Sequence, residues 1–128
     1  MYKFTFEPQN YNKTLLITSC IHGNETTGFF DMCHILNLLV NQWEKYPQLT
    51  YLRKNVRLIY VPMVNPWGFA NQKRENVNNV DLNRNFDYNW KAGKGTDPDK
   101  SNFKGKSPFS EKESQNMRSL VQRIDNLT

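Results

Sequence analysis

The chain predicts an α/β fold: a mixed sheet, largely parallel, with flanking helices. Three observations carry this. Two short apolar, β-branched runs, Thr14–Ile21 (TLLITSCI) and Val56–Val64 (VRLIYVPMV), read as buried strands. Between them, Phe29, Met32, Leu36, Leu39, Val40 and Trp43 recur at helical spacing. A second helix signal follows near the end of the chain. Two strands joined through a helix imply a right-handed crossover and parallel pairing.

Taken in order, the first strand ends at Ile21, and the loop His22-Gly23-Asn24-Glu25-Thr26 leads into a helix predicted over Thr27–Tyr46. Pro47 is expected to close that helix. Pro62 places the end of the second strand near a bend or a sheet edge. Residues Asn65–Gly105 are rich in Asn, Gly, Lys and Asp and poor in periodicity, so they read as a long loop, with Lys91–Lys106 a flexible surface segment. Ser110-Glu111-Lys112-Glu113 has the pattern of a capping box, and Met117, Leu120 and Val121 continue it as a last helix. If the two strands are parallel neighbours, His22 and Asn65 share one sheet edge.

The 128 residues suffice for one domain, and 38% hydrophobic with 13% aromatic residues is enough for a single core. The net charge of +5 invites a nucleic-acid reading, but Lys and Arg are spread along the chain without a stripe, so no nucleic-acid partner is expected. Cys20 and Cys33 lie in apolar surroundings and read as buried free thiols. The start, Met1-Tyr2-Lys3-Phe4, shows no signal-peptide pattern. No run approaches the ~18 apolar residues of a membrane span, so a soluble protein is expected. Abundant Asn and Lys with only two alanines, Ala70 and Ala92, suggest an AT-rich genome and a bacterial or phage source.

Three groups of residues carry chemistry. His22-x-x-Glu25 stands where a strand gives way to a helix; zinc takes imidazole nitrogen and carboxylate oxygen, and ligands three residues apart can reach one ion. The second, Asn65-Pro66-Trp67-Gly68-Phe69, reads as a turn. In the third, Arg74-Glu75-Asn76 precedes Val80-Asp81-Leu82-Asn83-Arg84-Asn85-Phe86. Guanidinium forks match a carboxylate or an oxyanion, and Asp81 suits the second ring nitrogen of a ligating histidine. His34, inside the first helix, reads as structural.

Together these motifs, in this order and spacing and continued by Pro108-Phe109-Ser110-Glu111-x-Glu113, resemble the zinc metallocarboxypeptidase family of the carboxypeptidase A type, over about residues 14–121. The resemblance implies a single partial catalytic domain over 1–128, a partial carboxypeptidase-like sheet, and one Zn2+ in the parent protein. It makes His22 and Glu25 metal ligands and Asp81 the partner of His22. Arg74 would polarise the scissile carbonyl, and Asn83 and Arg84 would bind the free C-terminal carboxylate of a peptide substrate. Arg74 and Arg84 are then expected to face one cavity, with Asp81 in hydrogen-bond reach of His22.

The family's third ligand, general base and specificity pocket have no counterpart before Thr128. The chain is therefore expected to be an excised piece that binds zinc weakly or not at all and lacks measurable activity. The succinylglutamate desuccinylase and aspartoacylase group also resembles His22-Gly23-Asn24-Glu25 and Asp81-Leu82-Asn83-Arg84, and is the alternative. A non-catalytic module that binds a peptide carboxylate, or a structural domain, is another.

Overall fold

The computed structural model describes residues 1–128. Strand β2 (Thr14–Thr18) and strand β3 (Arg57–Val61) pair in parallel, with Leu15 opposite Leu58 and Thr18 opposite Val61. Strand β1 (Phe4–Phe6), absent from the sequence reading, lies antiparallel on the other side of β3, with Phe4 opposite Tyr60. Its three residues are too few to show a period, and Pro8 follows them closely. The order β1-β3-β2 gives one antiparallel and one parallel pairing, so the sheet is mixed but not largely parallel.

The crossover from β2 to β3 holds two helices. Helix α1 (Thr27–Asn41) ends before the expected Tyr46, and a 3-10 turn, Trp43–Lys45, follows it. Pro47 does not merely close a helix: it opens helix α2 (Pro47–Asn55). The first turn of a helix has free N–H groups in any case, so the proline costs nothing there. Pro66 does the same in helix α3 (Pro66–Asn71), which replaces the expected turn. Asn65 caps that helix by accepting from the Gly68 N–H at 2.9 Å.

The central strand is buried at four of its five positions. Leu58 and Tyr60 join Met32 and Leu39 of α1 and Val56 in one cluster. Val61 and Val64 pack with Met117 of helix α4 (Lys112–Val121) in another. The predicted capping box does not form. Glu111 occupies the cap position without a side-chain cap bond, because its carboxylate and the Ser110 hydroxyl have other partners. Cys20 is buried just past the end of β2, whereas Cys33 is exposed on α1, not buried as expected. His34 is also exposed on α1.

Beyond the strands the chain stays in step: Val64 N–H donates to Ser19 O and Asn65 N–H to Cys20 O, which brings His22 and Asn65 to one edge. At the other end of β2, Leu127 forms an isolated parallel bridge with Thr14. No helix is long and apolar enough to cross a membrane.

Candidate active site

The loop after β2 presents His22. Cys20 takes a left-handed φ of 51°, and Gly23 packs directly on the backbone of α3; a Cβ there would lie 1.9 Å from the Gly68 carbonyl carbon. This contact explains why glycine follows His22. The thiol of Cys20 donates to Glu25 O at 3.6 Å, and burial pushes its pKa up, so it acts as a neutral packing group.

His22 is 6% exposed and engaged on both ring nitrogens. Nε2 lies 3.0 Å from Asp81 Oδ1 and Nδ1 lies 2.9 Å from Glu25 Oε1. Asp81, 1% exposed, also takes the Asn83 N–H on Oδ1 and both Nε and Nη2 of Arg74 on Oδ2, at 3.1 and 3.0 Å. So loaded with donors, Asp81 is an acceptor, which places a proton on His22 Nε2. In a neutral ring Nδ1 is then an acceptor too, and it faces the Glu25 carboxylate. Two acceptors at 2.9 Å need a positive charge between them, either a proton or a cation.

That donor pair, one imidazole nitrogen and one carboxylate, fits zinc. It is a two-donor set: no third histidine, cysteine or carboxylate completes a cluster. Arg74 Nη1 stands 3.7 Å from Glu25 Oε1, so one guanidinium spans the two carboxylates.

Asn83 and Arg84 lie on a 3-10 turn, Leu82–Arg84, capped by Asp81. Both are exposed and line a hollow of about 320 Å³ with Trp90 and Lys94. Arg74 is not among the residues that line this hollow. The largest hollow, about 840 Å³, lies between the 90–106 segment and Glu111, apart from His22 and Arg74. That segment, read as flexible, has a buried anchor: Lys104 Nζ donates to Trp90 O and Gly93 O and sits 4.4 Å from the Trp90 ring centre.

Three buried asparagines tie these pieces together, and no role for them was visible in the sequence. Asn65 Nδ2 donates to Glu75 O at 3.0 Å and reaches Ile21 O at 3.4 Å, linking the neighbours of Arg74 and His22. Asn76 Oδ1 accepts from the Asn78 and Val80 N–H groups, and its Nδ2 donates to Glu111 and Glu113. Asn85 joins the turn to α4. Asparagine abounds in this chain, so composition conceals the three that are buried. The available signal was position: each lies within one of the motif groups, though none was given a role there.

With this geometry in view, the whole chain, residues 1–128, matches the family model described as zinc carboxypeptidase. The chain belongs to the zinc carboxypeptidase family. Carboxypeptidase M of Mus musculus is 43% identical over 75 residues, covering 52% of this chain and 17% of that protein. Carboxypeptidase SOL1 of Arabidopsis thaliana is 39% identical over 66 residues, covering 52% of this chain and 13% of that protein. Among solved structures, the carboxypeptidase A of Helicoverpa armigera superimposes with a TM-score of 0.77 at 27% identity, covering 88% of this chain and 31% of that one. The matched part is thus less than a fifth of either curated relative. All three come from eukaryotes, and the bacterial or phage source suggested by composition finds no support in them.

Proposed function

We propose that this chain is a partial catalytic domain of a zinc-dependent metallocarboxypeptidase, which removes C-terminal residues from peptides. One observation carries the reading: His22, fixed through Nε2 by buried Asp81, aims Nδ1 at the Glu25 carboxylate while Arg74 takes the other oxygen of Asp81. His22 Nδ1 and Glu25 would hold the zinc. When bound there, the metal supplies a Lewis acid and a water of lowered pKa.

The chain's own residues do the rest of what is proposed. Asp81 keeps the His22 proton on Nε2 and so keeps Nδ1 free to ligate. Arg74, with its side chain about a third exposed, retains N–H groups for a substrate carbonyl oxygen as negative charge grows on it. Arg84 offers a planar fork and Asn83 an amide to the terminal carboxylate of the peptide, which sets the register of an exopeptidase. A third ligand and a general base are not supplied by these residues.

The reported relatives are carboxypeptidases by name and lend no support to the succinylglutamate desuccinylase or aspartoacylase alternative. The test is a zinc titration of the 128-residue chain followed by His22 ring resonances, with an assay on a peptide bearing a free C-terminus. Weak binding that shifts the His22 ring, without turnover, is expected. No zinc-dependent shift at His22 up to millimolar metal would overturn the metal assignment.

A further inference from the structure

The proposed carboxylate grip shows a contrast between what is exposed and what is buried. Asn83 and Arg84 are exposed, and neither side chain has a hydrogen-bond partner within the chain. Their own contacts therefore do not fix their direction. The residues that flank them, Asp81 and Asn85, are 1% and 0% exposed. Asp81 fixes the turn to His22 and Arg74, as described.

Asn85 fixes the other end. Its Nδ2 donates to Lys104 O at 2.8 Å, Ser110 Oγ at 2.9 Å and Ser107 O at 3.1 Å. Its Oδ1 accepts from Ser114 Oγ at 2.6 Å and the Glu111 N–H at 3.2 Å. Its backbone O accepts from the Phe109 N–H at 2.7 Å, and its own N–H donates to Leu82 O across the turn. The fit is close: Gly105 has φ of 84°, and a Cβ there would lie 2.5 Å from Asn85 Nδ2. Every donor and acceptor of one side-chain amide is used, in an orientation that only Asn can satisfy.

We infer that Asn85 is a positioning residue for the carboxylate grip: braced by Ser110, Glu111 and Ser114, its buried amide sets the direction in which Asn83 and Arg84 leave the turn. This rests on the proposed reading of Asn83 and Arg84. An exposed fork on a loose turn would meet a carboxylate in many orientations; one pinned at both ends meets it in few.

The experiment is an NMR titration of the isotope-labelled 128-residue chain with N-acetylphenylalanine, with its C-terminal amide as control, following the Arg84 Nε–H and Asn83 side-chain signals. The wild type should respond to the acid and not to the amide, and Arg84→Met should abolish the response. Asn85→Asp, which turns an oxygen toward two carbonyls, should weaken binding by roughly tenfold or more in the folded population. Ser114→Ala, a milder loss of one donor to Asn85, should weaken it roughly two- to fivefold even if Asn85→Asp does not fold. Val56→Ala, in the core cluster around α1, should lower the melting temperature and leave the Kd unchanged.

If the wild type shows no acid-specific shift, the grip itself fails, and the inference with it. If the wild type binds and Ser114→Ala, or folded Asn85→Asp, binds equally well, the grip stands and the positioning role is overturned. Equal weakening by Val56→Ala and Ser114→Ala would reduce Asn85 to general stability and overturn it as well.

Discussion

Asp81 receives four hydrogen bonds, from His22 Nε2, Arg74 Nε and Nη2, and the Asn83 N–H. Its removal would leave Arg74 with only its 3.7 Å approach to Glu25 and release the His22 tautomer. Asp81→Ala should therefore cost about 2–3 kcal/mol in urea unfolding, the low end for a broken buried pair because Arg74 keeps part of its side chain in water. An unchanged midpoint would show that Arg74 finds another partner. Glu111 allows a pH test. Burial raises its pKa, but hydrogen bonds from Asn76, Asn78 and Ser110 outweigh that and leave it below the usual value near 4.5. The unfolded chain then takes up the proton first, so the contribution of Glu111 is present above about pH 4.5 and is lost as pH falls toward the folded pKa. The charged groups around it are Glu113, which shares Asn76, and Lys104 and Lys106 of the adjoining hollow. The stability gap between wild type and Glu111→Gln should be widest at neutral pH and narrow on acidification below 4.5; a gap constant from pH 7 to pH 3 would refute the role.

At the scale of elements, two of the three strands and the long helix were legible because burial imposes periods: two apolar runs and one helical stripe sufficed for β2, β3 and α1. Helices α2 and α3 were not, since each begins with a proline that reads as a break, and only the sequel decides whether Pro ends a helix or starts one. The His22, Glu25, Arg74 and Asp81 set was legible as residue types in order. Its closure, the His22–Asp81 contact 59 residues apart in sequence, was expected through the family resemblance and is present at 3.0 Å, but spacing alone could not give it. Gly23 lies between these cases. The loop needs glycine there for close approach and not for φ: an added Cβ would meet the Gly68 carbonyl carbon at 1.9 Å and Phe69 N at 2.2 Å. Gly23→Ala must push α3 from the His22 loop, and should cost about 1–3 kcal/mol of stability. It should also lengthen the His22–Asp81 contact, visible as a shift of the His22 Nε2 proton. A melting curve identical to wild type would show the loop to be freer than the packing indicates.

At the scale of the molecule, strand β2 is an edge: β3 pairs with one side of it, and on the other only Leu127 engages, as a parallel bridge to Thr14. Thr14 N–H donates to Asn126 O at 2.7 Å and Thr128 N–H to Thr14 O at 3.0 Å, the pattern of a parallel ladder at its first rung. Strands in register rise together, at about 3.3 Å per residue. His22 follows Thr14 by eight residues. In a longer product of the same gene that continues this ladder, the residue about eight positions beyond Leu127 would reach the level of His22 and Glu25, at the sheet edge where the metal site lacks a third protein donor. The expected outcome is a histidine, or failing that another zinc donor, within about two residues of that point. A product containing it should bind one zinc far more tightly than the 128-residue chain does, because a third donor replaces a water and the pair need not hold the ion alone. Substituting that donor by alanine should return the affinity to that of the short chain. A continuation with no His, Cys, Asp or Glu near that position, or full zinc occupancy that survives its removal, would show that the site is completed from elsewhere or not at all.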